Sequence, residues 1–128
     1  MMFVVLMLAQ VSTAAAAPAI PAGVRLEATS TSSFTVDQPR LDVHGRAIHV
    51  EGVVCRRPLH LGLSPPRVTI ERVAADGTVA APVYAALPPL PRRLDQRCVR
   101  FGVPLDPAPV TGEQIRICLA RSGGCAAQ

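Results

Sequence analysis

The chain contains no tryptophan, no lysine and no asparagine, and its 128 residues include one tyrosine and three phenylalanines. So few aromatic rings leave little on which nucleobases could stack, and proteins that bind single-stranded nucleic acid normally combine such platforms with a basic groove. The thirteen basic residues are all arginine. They are spread from Arg25 to Arg121, with only Arg56-Arg57 and Arg92-Arg93 adjacent. The net charge of +4 therefore describes a surface that attracts anions in general and not a nucleic-acid track. Also missing are a C-x-x-C redox pair, a G-x-S-x-G nucleophile elbow and a close pair of carboxylates of the kind glycoside hydrolysis uses. The expectation is a protein that is not an enzyme and carries no cofactor.

Long hydrophobic runs are absent too. The longest at the N-terminus, Met2 to Leu8, breaks at Gln10 and Ser12, whereas a spanning helix needs about 20 apolar residues. That run is followed by a small-residue stretch from Ser12 to Ala19. An apolar segment that partitions into the membrane, then small side chains that fit a peptidase pocket, is the order of a secretory leader. Cleavage fits after Ala16 or after Ala19, and no cysteine near the junction supports a lipid anchor. The sequence thus predicts a signal peptide over residues 1–19 and a single domain over residues 20–128, periplasmic or secreted. Membrane contact is expected only through the uncleaved leader. Enrichment in Ala, Pro, Arg, Gly and Val fits the codon usage of a GC-rich bacterial genome.

Thirteen prolines argue against long helices, because an interior proline costs about 3 kcal/mol there. Short period-two stretches take their place, as half-buried strands require. Val24 and Leu26 alternate with Arg25 and Glu27, and Phe34 and Val36 with Thr35 and Asp37. In AIHVEGVVC, Ile48, Val50, Gly52 and Val54 share one face, and His49, Glu51, Val53 and Cys55 the other. RVTIERV follows, then Ala75-Asp76-Gly77-Thr78, whose Asp-Gly pair suits a tight hairpin into TVAAPVYAAL. Pro82 removes a ladder donor from that return strand, which places it on an edge or at a bulge. CVRFGV and QIRICLA complete the set, with Val99, Phe101 and Val103, and Ile115, Ile117 and Leu119, as their apolar faces.

About seven short strands and no convincing helix pack naturally as an all-β, antiparallel β-sandwich. Over roughly residues 23–120 the pattern resembles small exported bacterial β-sandwich domains of immunoglobulin/fibronectin-like architecture. The strand-C tryptophan and the tyrosine corner of true immunoglobulin modules have no counterpart here, which leaves strand topology open.

Cys55, Cys98, Cys118 and Cys125 form an even set, and in an exported chain disulfides are the leading reading. Four cysteines allow three pairings. Alternation turns Cys98 and Cys118 away from the core on their strands. If those strands form a hairpin, pairing Val99 with Ile117 sets Cys98 opposite Cys118, within disulfide reach. Cys55 then remains for Cys125. A rival pairing joins Cys55 to Cys118 across the sheets and Cys98 to Cys125.

His44, His49 and His60 surround Cys55 in sequence, and such a set could hold copper or zinc. Their spacing fits no standard metal motif. On one continuous strand, residues five apart point to opposite faces, so His44 and His49 are expected to stand apart and no metal is assigned. Ser64 and Ser122 are the hydroxyls a hydrolase could use, but neither lies in a recognisable catalytic setting. The leading expectation is a non-enzymatic envelope module that contacts a protein or an anionic polymer through an edge strand or through the loops RRPLHLGLSPP and LPPLPRRLDQ. A copper- or zinc-handling protein using the three histidines and a small exported hydrolase are the alternatives.

Overall fold

A computed structural model describes residues 19–58, 67–89, 97–120 and 124–125. Residues 1–18 of the expected leader, His60, Ser64, Ser122 and most of both proline-rich loops lie outside the described residues. Seven strands are present: β1 (Arg25–Ala28), β2 (Phe34–His44), β3 (Ala47–Arg56), β4 (Val68–Val73), β5 (Val83–Ala85), β6 (Cys98–Leu105) and β7 (Gln114–Leu119). They form a four-stranded sheet in the order β1-β7-β4-β5 and a three-stranded sheet in the order β2-β3-β6. Every pairing is antiparallel except that of β1 with β7. Among the described residues there is no α-helix, and no helix long and apolar enough to cross a membrane.

The two sheets are joined by the apolar halves of their strands. Ile48, Val50 and Val54 of β3, Phe101 and Val103 of β6, Val68 and Ile70 of β4, and Ile115 and Ile117 of β7 belong to one buried cluster. These are the residues that alternation assigns to inner faces. Burying each Val, Ile or Phe contributes about 1.5–3 kcal/mol, so a core of this list is the main force holding the sheets together.

The Asp-Gly hairpin forms as its residues require. Gly77 takes a positive φ of 90°, its N–H donates to the Ala74 carbonyl, and the Ala74 N–H donates to Thr78. The return strand bonds first through Ala80 to Arg72 and then resumes with Val83 opposite Ile70. Three steps on the return side thus match two on β4, a one-residue bulge containing Pro82. β5 is also a sheet edge, so the missing proline donor is tolerated on both counts.

Both disulfides differ from the expected pairings. Cys55 bonds to Cys98, with Cα atoms 4.0 Å apart, and Cys118 to Cys125, at 5.6 Å. The outward direction of the strand cysteines holds; the partner strand was wrong. β6 does not turn back onto β7. The segment between them crosses from one sheet to the other, and β6 pairs with β3 in a register that puts Cys98 directly opposite Cys55. Cys118, facing out on β7, is then left for Cys125 in the tail. Its bond holds Gly124 and Cys125 over the outer face of β4, where the Cys125 N–H donates to Glu71 and Arg116 pairs with the same carboxylate at 3.2 Å. A Cβ at Gly124 would lie 2.1 Å from Glu71 Oε2, so a larger residue there would displace that carboxylate from Arg116 and the Cys125 N–H. Two intramolecular disulfides point to an oxidising, exported compartment.

A more deeply buried ion pair holds the crossover. Arg72 on β4 donates to both Glu113 carboxylate oxygens, at 2.5 and 3.0 Å, and to the Pro107 carbonyl. Glu113, 5% exposed, also accepts the Val110 N–H. The Arg72 guanidinium holds the Glu113 carboxyl below its ordinary range, against the opposing cost of burial, with the Val110 N–H adding to the lowering.

Two predictions follow from these braces. In the loop-closure description, a bond spanning 43 residues stabilises by about 4 kcal/mol and one spanning 7 by about 2 kcal/mol. C55S/C98S is therefore expected to lose more stability in urea than C118S/C125S, and a non-reduced digest to yield the two pairs found here. A carboxyl whose pKa is depressed by folding adds stability that is complete above its unfolded value and lost as pH falls through the folded one. Wild-type protein should accordingly lose stability on acidification below about pH 4.3 more steeply than E113Q, as followed by chemical unfolding from pH 6 to pH 2.

Candidate functional site

The outer face of the β2-β3-β6 sheet carries a group of interacting polar side chains. How they come to face outward begins with a break in alternation. Phe34 and Val36 point into the core, and so do Leu41 and Val43, although the two pairs have opposite parity. The register shifts between Asp37, opposite Val53, and Arg40, opposite Glu51. Three residues of β2 thus span two of β3, and Gln38 accommodates the bulge at a positive φ of 52°. Beyond it, Arg40, Asp42 and His44 all turn outward.

β2 then reverses through Gly45-Arg46, with positive φ at Gly45 alone, the backbone of a two-residue hairpin with glycine first. Asp42 sits opposite His49, and His44 opposite Ala47. His44 and His49 consequently occupy one face of adjacent strands, with ring centroids 4.7 Å apart. The expectation that they stand apart was an error. It took the chain between them as one continuous strand, whereas the turn folds it back. A signal for the turn lay in L-D-V-H before Gly45 and A-I-H-V after Arg46, but the first is four residues long and out of phase with Phe34 and Val36.

Glu51 joins them from β3. Its Oε1 accepts from His44 Nε2, and its Oε2 lies 3.2 Å from Arg40 Nε. Asp42 Oδ1 accepts the Val43 N–H, while Oδ2 is 3.6 Å from His44 Nε2. One donor atom from each of His44, His49 and Glu51 lies within 4.8 Å of the others.

Next to this group the sheet surface dips into a solvent-open hollow of about 400 Å³, bordered by Arg40, His44, Glu51 and, from β6, Arg100. Two glycines thin the sheet here. Gly52 faces inward, where a Cβ would lie 2.8 Å from the Phe101 ring, so the ring packs directly against the backbone of β3. Gly102, opposite Glu51, leaves the outer surface of β6 bare. Arg100 is exposed and has no ion pair among the described residues.

The structure therefore brings together two of the three candidate histidines and adds Glu51 and Asp42, which sequence reasoning did not combine with them. The four cysteines are structural. His60, Ser64 and Ser122 lie outside the described residues, as do the tips of the loops expected to make contacts.

The bulge offers a direct test. A non-glycine residue in the left-handed region costs about 1–2 kcal/mol, and a β-branched side chain fits it worst. Gln38 already carries that cost, so Q38V should lower the unfolding free energy further by up to about 1 kcal/mol, while Q38G should match or exceed wild type in urea denaturation. Comparison of the chain with protein-family models, with curated proteins and with solved structures finds no match.

Proposed function

We propose that this chain is a non-enzymatic recognition module, periplasmic or secreted, which binds an anionic envelope polymer on the outer face of the β2-β3-β6 sheet. The observation that carries this reading is the hollow beside Arg100. Around it, Glu51 is already engaged by Arg40 and His44, and Asp42 by the Val43 N–H and His44. Arg100 remains as a fork of donors matched to a carboxylate or phosphate. The overall charge of +4 favours approach of such a partner.

Strand order supports an immunoglobulin/fibronectin-like architecture for the module. Immunoglobulin constant domains place strands A, B, E and D in one sheet and C, F and G in the other. With β2 and β3 as A and B, β4 as C, β6 as E and β7 as F, the neighbours A-B-E and C-F are kept, while D has no counterpart and β5 lies beside β4. Position G beside β7 is then taken by β1, running parallel. The contact surface in this proposal is a sheet face and not the loops or edge strand expected from sequence.

Binding of two probes, polygalacturonate and lipopolysaccharide, tests the proposal at low and moderate salt. At least one should bind, more weakly at high salt. R100E should weaken it about fivefold or more, the size of one exposed charge-assisted contact with its sign reversed, while R25E on the other sheet should not. Equal losses in both variants, or no binding to either polymer, would overturn the proposal; capture of a protein instead would move the partner to that class.

A further inference from the structure

We propose that His44, His49 and Glu51, with Asp42 as a fourth donor, form a binding site for a divalent transition-metal ion of the zinc–copper class. The inference does not rest on the polymer reading, since the metal alone is the probe and Arg100 takes no part in the donor set.

Three properties of the group carry it. The first is donor chemistry: two imidazoles and one or two carboxylates suit zinc(II) and copper(II), whereas calcium and magnesium prefer oxygen alone. The second is geometry. Bonds of about 2.0–2.1 Å put the ligand atoms of a tetrahedral zinc about 3.4 Å apart. One donor atom from each of His44, His49 and Glu51 already lies within 4.8 Å of the rest, and Asp42 Oδ2 is 3.6 Å from His44 Nε2. The donor atoms must close by up to about 1.4 Å, and His44 is exposed while His49 and Glu51 are half-buried.

The third property is preorganisation. All four residues sit on paired strands, with Asp42 and His49 directly opposite each other and the β2-β3 hairpin closed by two residues. Arg40 holds one oxygen of Glu51, which leaves the other aimed at His44. That is the part a residue outside the ligand set plays around bound metals, fixing a carboxylate in its ligating orientation. Ligation through His44 Nε2 needs the imidazole tautomer that carries its proton on Nδ1, and the metal then takes the place of the hydrogen bond to Glu51.

An ordinary surface cluster would share the charges but not this arrangement. The bulge at Gln38 turns Asp42 and His44 to the face that His49 and Glu51 already occupy. A strand with unbroken alternation would have directed them inward.

The test is titration of untagged, oxidised protein with copper(II) and with zinc(II), followed by calorimetry and, for copper, electron paramagnetic resonance. One equivalent of each should bind, copper more tightly, as the general order of affinities for such donors requires. The copper spectrum should show hyperfine coupling to two imidazole nitrogens. H44A and H49A should each weaken binding at least tenfold, and E51Q by a smaller factor, whereas H60A should leave it unchanged. All four are surface or half-exposed substitutions or lie outside the described strands, and circular dichroism and urea unfolding verify that each variant folds. Absence of stoichiometric binding, a spectrum with fewer than two coupled nitrogens, or undiminished affinity in an H44A/H49A double variant would overturn the proposal.

Discussion

A β-strand has two faces, and a chain that keeps strict alternation must commit every second residue to the core. β2 is too long for that rule to serve it. Its first half offers Phe34 and Val36 to the interior and its second half Leu41 and Val43, one step out of phase. A single extra residue near Gln38 reconciles the halves. Most of what distinguishes the outer surface depends on this correction. Arg40, Asp42 and His44 reach solvent because of it, and β2 runs far enough to place His44 beside β3.

Much of the architecture was legible because burial on one face leaves a plain period-two trace. β3, β6 and β7 show it cleanly, and their inner residues are the ones found in the core. The Asp76-Gly77 turn was legible for a different reason, since positive φ restricts the residues that can occupy it. β2 beyond Asp37 was not, because a bulge erases the periodicity by which strands are recognised. With that half of the strand missing, the Gly45 hairpin had nothing to join, and two histidines on one surface read as two on opposite surfaces.

The disulfides illustrate a different limit. Alternation reports which way a side chain points and nothing about which strand lies beside it. The stretch from Asp106 to Glu113 is short enough for a hairpin, yet it carries the chain across the core to the other sheet, held by Arg72 and Glu113. Neighbouring strands in sequence thus became members of different layers. Each cysteine then bonded within its own layer: Cys98 to the adjacent strand, and Cys118 to Cys125 on its outer face.

Cys125 and β1 both meet β7. β1 runs parallel to β7 through four paired positions, from Arg25 with Gln114 to Ala28 with Ile117. In a parallel pair, the chain enters β1 at one end of the ladder and leaves β7 at the other. Tension drawn between those two points is directed along the strands, so the hydrogen bonds between them share the load in shear instead of opening one after another. β1 and β7 are thereby joined in a shear geometry.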